Sequence, residues 1–167
     1  MAWRGICGGV CVIQSGDEYI IEKATNLDHI RGAIKAYRRD CFNQIGGILI
    51  KKGWDTVDEH HARFNGWFVS VLDSLKVVHQ RSTAEEYGFL KASFRNGKML
   101  YSIRMNLILV LGNAIKNLFK YPYFISSIIL FSGYCYAFLA GHERIVTKEL
   151  GVFIRHYRYQ KILDKFK

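Results

Sequence analysis

The chain has 167 residues, half of them hydrophobic, and a net charge of +10. That length supports one domain with a substantial core rather than two. The basic excess is uneven: residues 84–167 hold 13 basic and 5 acidic side chains, against 11 and 9 in residues 1–83. The basic half is also the more apolar, a combination that points to an anionic membrane surface before nucleic acid. A nucleic-acid binder is disfavoured further because the aromatic residues lie in apolar runs and do not interleave with a basic sheet face. Cys7, Cys11, Cys41 and Cys135 lack the paired spacing of a zinc site, and no cleavable signal peptide precedes them. Reduced, buried thiols in a cytosolic setting are expected.

In chain order, Ile6 to Ile13 reads as a buried strand with Gly8-Gly9 inside it. A lone Gly-Gly pair signals backbone packing rather than a phosphate loop. Ser15-Gly16-Asp17 is turn chemistry, and Tyr19 to Glu22 completes a hairpin. His29 to Arg38 alternates as a strand does, and Asp40 to Ile45 fits a short helix stopped by Gly46-Gly47. Thr56 to Asn65 reads as a helix with Asp55 as N-cap and Gly66 as its stop. Asp55, Asp58 and Glu59 then share one helical face. Two readings of Asp55 stand open: a cap paired with Asp58, or a general base beside a substrate hydroxyl. His60 and His61 are adjacent and point about 100° apart, so they do not form the two-histidine zinc pattern of a metalloprotease helix. Trp67 to Val71 and Leu75 to Val78 read as two strands, the second ending at His79.

Beyond Arg81 the character changes, and one boundary falls near residues 81–83. Ser82 to Glu86 is a helix start with overlapping capping boxes. Tyr87 to Phe119 is helical in pattern, with a break or bend expected near Gly97; Pro122 forces a second break. Tyr121 to Gly141 contains no charge, but cations flank it on both sides (Lys116 and Lys120, then Arg144 and Lys148). A single crossing would put one cationic flank on the wrong side, so a hairpin over about residues 100–141, dipping into one leaflet, is expected. From Thr147 to Lys167, Leu150, Phe153, Ile154 and Tyr157 keep helical spacing beside Arg155, Arg158, Lys165 and Lys167. That pattern fits an interfacial helix, or a helix packed on its domain with a solvated basic face.

Residues 5–81 resemble the acceptor-side half of a family 2 glycosyltransferase. Asp55, Gly66-Trp67 and Val77-Val78-His79 carry the resemblance. So do Arg31-Gly32-Ala33, Tyr37-Arg38-Arg39, Phe42 and Ile45-Gly46-Gly47 upstream. The family more often has Glu-Asp where this chain has Trp54-Asp55. The resemblance implies an α/β fold, the C-terminal part of a GT-A mixed sheet in residues 1–82, followed by a helical, membrane-associated region in residues 83–167.

It also implies inverting transfer from a nucleotide sugar to a saccharide or lipid-linked acceptor, in cell-surface polysaccharide synthesis. The implied setting is the cytoplasmic face of a cell membrane, a bacterial inner membrane in type. Asp55 is the implied base, with Asp58 or Glu59 as helpers or substitutes. Gly32, Ala33, Arg38, Trp54, His79 and Arg81 are implied along the substrate, with Arg38 and His79 toward the diphosphate and His79 toward Mg²⁺ or Mn²⁺. The family's metal-binding Asp-X-Asp pair occurs nowhere in this chain. The donor-binding half is therefore expected from another chain, or else the protein is a non-catalytic remnant or partner subunit.

Overall fold

The computed structural model of the chain describes residues 3–15, 18–21, 28–78, 88–118 and 124–164. It is a mixed α/β structure that divides into two compact units, Met1–Ser82 and Thr83–Lys167.

In the first unit, β1 (Arg4–Ser15) is the central strand. It pairs antiparallel with β2 (Glu18–Ile21) and with β3 (Lys35–Tyr37), and parallel with β4 (Phe68–Val78). Ile6, Val10 and Val12 are buried along β1, as its apolar run requires. Gly8 and Gly9 serve backbone packing: a Cβ on Gly8 would lie 2.5 Å from the Ile34 carbonyl oxygen, and one on Gly9 2.3 Å from that of Leu75. The core gathers Ile6, Ile30, Cys41, Ile45 and Ala62, with Trp67, Val69 and Val71 against them.

Three local expectations are corrected in this unit. Residues 68–78 form one strand, not two. Its pairing with β1 jumps from Leu72 to Lys76 between adjacent β1 residues, so Asp73, Ser74 and Leu75 form an irregularity inside β4. The alternation of residues 29–38 yields a strand only over Lys35–Tyr37, because Gly32–Ile34 makes a tight turn closed by the Ile34 N–H to the Arg31 carbonyl at 3.0 Å. Finally, α2 runs over Trp54–Phe64, and its N-cap is Gly53, whose φ of +87° favours glycine. Asp55 is thus the second helical residue, and the reading of it as a cap paired with Asp58 does not hold. The other end follows the sequence. Gly66 is left-handed, its N–H reaches the Arg63 carbonyl, and the Trp67 N–H reaches the Ala62 carbonyl, both at 3.0 Å. The short helix α1 (Arg39–Gln44) likewise ends before Gly46 and Gly47.

The second unit contains α3 (Phe89–Ser102), α4 (Leu107–Leu118), α5 (Phe124–Leu139) and α6 (Lys148–Leu163). The interruption falls at residues 103–106, not near Gly97. Arg104 takes a φ of +60°, its N–H bonds the Tyr101 carbonyl, and the Met105 N–H bonds the Leu100 carbonyl. That is a glycine-type helix ending made by an arginine, whose Nε donates to the Val146 carbonyl at 2.8 Å. Arg144 and Arg155 donate to the carbonyls of Tyr101 and Arg104. These bonds satisfy carbonyl groups that the helix end leaves over.

Gly97 has a different task. A Cβ there would lie 1.9 Å from the Leu130 carbonyl oxygen, and one on Gly133 would lie 2.2 Å from that of Phe94. Helices α3 and α5 therefore touch backbone to backbone. Gly97→Ala should lower the melting stability of this unit by about 1–3 kcal/mol, because backbone cannot yield as a side chain does. Gly112 on α4 has open space around its Cβ position. Gly112→Ala should instead stabilise by about 0.5–1 kcal/mol through helix propensity. Equal effects of the two substitutions in urea unfolding would contradict this account of Gly97.

Thr147 caps α6 by accepting from the Leu150 N–H at 3.2 Å, and Leu150, Gly151 and Ile154 are buried. The side of this helix that carries Leu150 and Ile154 is buried, while Val152, Ile162 and Leu163 are exposed. Among the described residues, no helix is long and apolar enough to cross a membrane. The helix start read at Ser82–Glu86 and the break at Pro122 lie outside the described residues.

Candidate functional site

The first turns of α2 bring Asp55, Asp58 and Glu59 to one side, facing His29, Lys35 and Tyr37 from the segment that precedes α1. Lys35 and Tyr37 are two apart on β3, so both point to the same side of the strand. The Lys35 ammonium lies 2.8 Å from Asp58 Oδ1 and 2.9 Å from Glu59 Oε1, and it also donates to the Asp55 carbonyl. All three of its donors are used, and its side chain is fully buried. Tyr37 donates its hydroxyl to Asp58 Oδ2. Glu59 additionally accepts from the Ile30 N–H at 2.9 Å and from Arg63 Nη1 at 3.4 Å. His29 spans two carboxylates, with Nδ1 3.1 Å from Glu59 and Nε2 3.6 Å from Asp55.

Exposure separates the three acids. The side chains of Asp58 and Glu59 are 3% and 2% exposed, that of Asp55 35%. Asp58 and Glu59 are tied into a buried ionic cluster, and Asp55 alone presents a carboxylate to solvent. Burial would raise the Asp55 carboxyl, but the bond to His29 and the charges of His29 and Lys35 outweigh it and hold it below the usual range. Glu59 follows the same logic: burial opposes ionisation, and His29, Lys35 and the Ile30 N–H prevail. For Asp58 burial wins over Lys35 and Tyr37, and its carboxyl is raised. Burial would lower His29, yet its bonds to Asp55 and Glu59 raise it from 6.5 to about 9.

That last shift has a direct consequence for stability. A raised histidine stabilises the fold fully below pH 6.5 and loses that contribution as pH climbs through about 9. With solvent screening at a ring that is one-third exposed, the loss should be on the order of 1–2 kcal/mol. Urea unfolding between pH 6.5 and 9.5 should show this decline, and His29→Gln should flatten it. An unchanged slope in the variant would rule out the His29 bridge as its source.

The remaining residues singled out by the sequence are distributed as follows. Trp54 begins α2, with the Lys35 ammonium 5.7 Å from its ring centre. Its indole covers Gly32, where a Cβ would fall 2.5 Å from Cζ2. Tight packing thus accounts for that glycine. Ala33 is exposed beside it. Arg38 is drawn to Asp40 at 3.3 Å and stacks over Trp3 at 5.0 Å, away from the carboxylate cluster. It borders a shallow cleft of about 230 Å³ that Arg4, Cys7 and Tyr37 also line. His79 and Arg81 lie outside the described residues, and so does the metal role implied for His79.

The carboxylates present do not fit the Mg²⁺ or Mn²⁺ that the resemblance implies. Asp58 and Glu59 share Lys35, Asp55 faces His29, and no group of three or more His, Cys, Asp or Glu side chains among the described residues is placed to hold a metal.

The sequence reading gives no site role to His29, Lys35 or Tyr37, although Tyr37 belongs to a motif that carries the resemblance. The i, i+2 spacing of Lys35 and Tyr37, before a helix with three acids on one face, was a readable signal for two of them. Comparison of the chain with protein-family models, with curated proteins and with solved structures finds no match.

Proposed function

We propose that this protein is the acceptor-side half of an inverting glycosyltransferase of the family 2, GT-A type. The observation that carries the proposal is the division among three adjacent acids. Two are locked into the ionic cluster, and the third, Asp55, is ionised, reachable and held by His29. In this reading Asp55 takes the proton of an acceptor hydroxyl as that oxygen bonds to the anomeric carbon of the donor sugar. The bond from that carbon to the diphosphate breaks, and the nucleoside diphosphate leaves with inversion. Trp54, half-buried at the start of the same helix, carries a ring of the kind that sugars stack on, with the Lys35 ammonium over one face. A nucleotide-binding half outside these 167 residues would supply the donor, and no step is assigned to a metal on this half. The product would belong to cell-surface polysaccharide synthesis.

A second reading, a non-catalytic partner subunit, is favoured by one fact. The seven aspartates, at 17, 28, 40, 55, 58, 73 and 164, include no pair two apart that could make the family's metal site. One experiment separates the two: supply the donor half, by fusion or as a separate chain, and follow sugar transfer with and without this protein. Transfer that depends on the protein and on Asp55 supports catalysis. Transfer that depends on the protein but not on Asp55 supports the partner subunit.

A further inference from the structure

Helix α5 has two dissimilar jobs on its two sides. Ser126, Leu130, Gly133 and Ala137 form its buried stripe. Away from them, Ile125, Ile128, Tyr136 and Leu139 are exposed on its flank and outer side, with Ser132 the polar residue among them. The neighbouring helix α4 repeats this: Leu109 and Val110 are buried, while Ile108, Leu111 and Ile115 are exposed at i, i+3 and i+7. A solvated helix would carry polar residues at such positions, so the outer sides of both helices call for an apolar cover.

Charge decides what that cover is. Helices α3, α4 and α5 contain Lys91, Arg95, Lys98 and Lys116 and no carboxylate. A second copy seated on this face would bring cation against cation, with no acid on these helices to pair them. An anionic surface has the opposite effect. Aromatic residues also carry cations at the C-terminal end of the apolar stripe. The Lys98 ammonium sits 5.4 Å over the ring of the half-exposed Tyr136. The Arg144 guanidinium lies 3.4 Å over Tyr101, which meets the exposed Phe138 edge-on at 6.2 Å. Rings with an apolar body beside a cation suit the boundary between lipid headgroups and acyl chains.

We infer that α4 and α5 lie along one leaflet of an anionic bilayer, with their outer apolar stripes at the headgroup–acyl boundary and the cations of α3 and α4 among the lipid headgroups. Length favours lying along the leaflet over crossing it. At about 1.5 Å per residue, the 12 residues of α4 and the 16 of α5 reach roughly 18 and 24 Å, short of a hydrocarbon core of about 30 Å. Insertion of such a face reaches about 5–10 Å. This inference does not depend on the transfer chemistry, which resides in the other unit.

The test is flotation of the full chain with vesicles of phosphatidylcholine alone, or with about one-third phosphatidylglycerol. Binding should require the anionic lipid and weaken as salt is raised. Ile108 and Ile128 are 68% and 67% exposed, so Ile108→Ser with Ile128→Ser should leave the thermal melt intact. The double variant should lower partitioning at least about 100-fold, as expected for two isoleucines withheld from lipid. Equal binding by wild type and variant, or equal binding to neutral vesicles, overturns the inference. So does an absence of binding, and sedimentation as a dimer in that case would identify a second copy as the cover.

Discussion

Lys35→Met is expected to destabilise the first unit by about 3–5 kcal/mol, a large part of the roughly 5–15 kcal/mol that holds a typical domain together. Lys35 is a fully buried cation that contacts two nearly fully buried carboxylates and a backbone carbonyl. Replacing it with an apolar chain of similar length preserves volume and removes the charge. Asp58 and Glu59 then stand 3% and 2% exposed with no buried ammonium between them. The cost lies less in the lost attraction than in the uncompensated charges left behind. It follows that Lys35→Met combined with Asp58→Asn and Glu59→Gln should be less damaged than Lys35→Met alone. Urea unfolding followed by tryptophan fluorescence reports on this unit selectively, because the three tryptophans are Trp3, Trp54 and Trp67. A loss below about 1 kcal/mol would mean that Lys35 is not the centre of the cluster.

The same cluster shows where sequence reading succeeds and where it stops. Helical period alone placed Asp55, Asp58 and Glu59 on one face, and they do face the same partners. Period says nothing about depth. Whether a carboxylate on that face is buried or reachable depends on what packs over it, here β3 and the residues before it, which are 20 to 30 positions away in the chain. The C-terminal ends of α1 and α2 were legible where glycine adopts positive φ, at Gly46 and Gly66, whereas Gly53, also at positive φ, did not reveal the start of α2. They were misread where a non-glycine residue did so, as at Arg104, which is held by carbonyl bonds from residues more than 40 positions downstream. Gly97 misled for the opposite reason. In a single sequence, a glycine that permits helix–helix contact looks the same as one that breaks a helix. The two strands read on either side of Asp73 and Ser74 are one strand, because a break in hydrophobic alternation can be an irregularity inside the strand.

The most direct test of the account is the turnover of Asp55→Asn once a donor-binding half is supplied. Asparagine keeps the shape of the side chain and can still meet His29, but it cannot accept a proton from a hydroxyl. The geometry predicts a folded protein with an unchanged urea midpoint near neutral pH, apart from the modest contribution of the His29 pair. The proposed role predicts a kcat at least ~10²-fold lower, as for loss of a general base. Asp58→Asn and Glu59→Gln should separate from it by harming stability first, since both acids are tied to Lys35. Retention of more than about a tenth of wild-type kcat by Asp55→Asn would contradict Asp55 as the base.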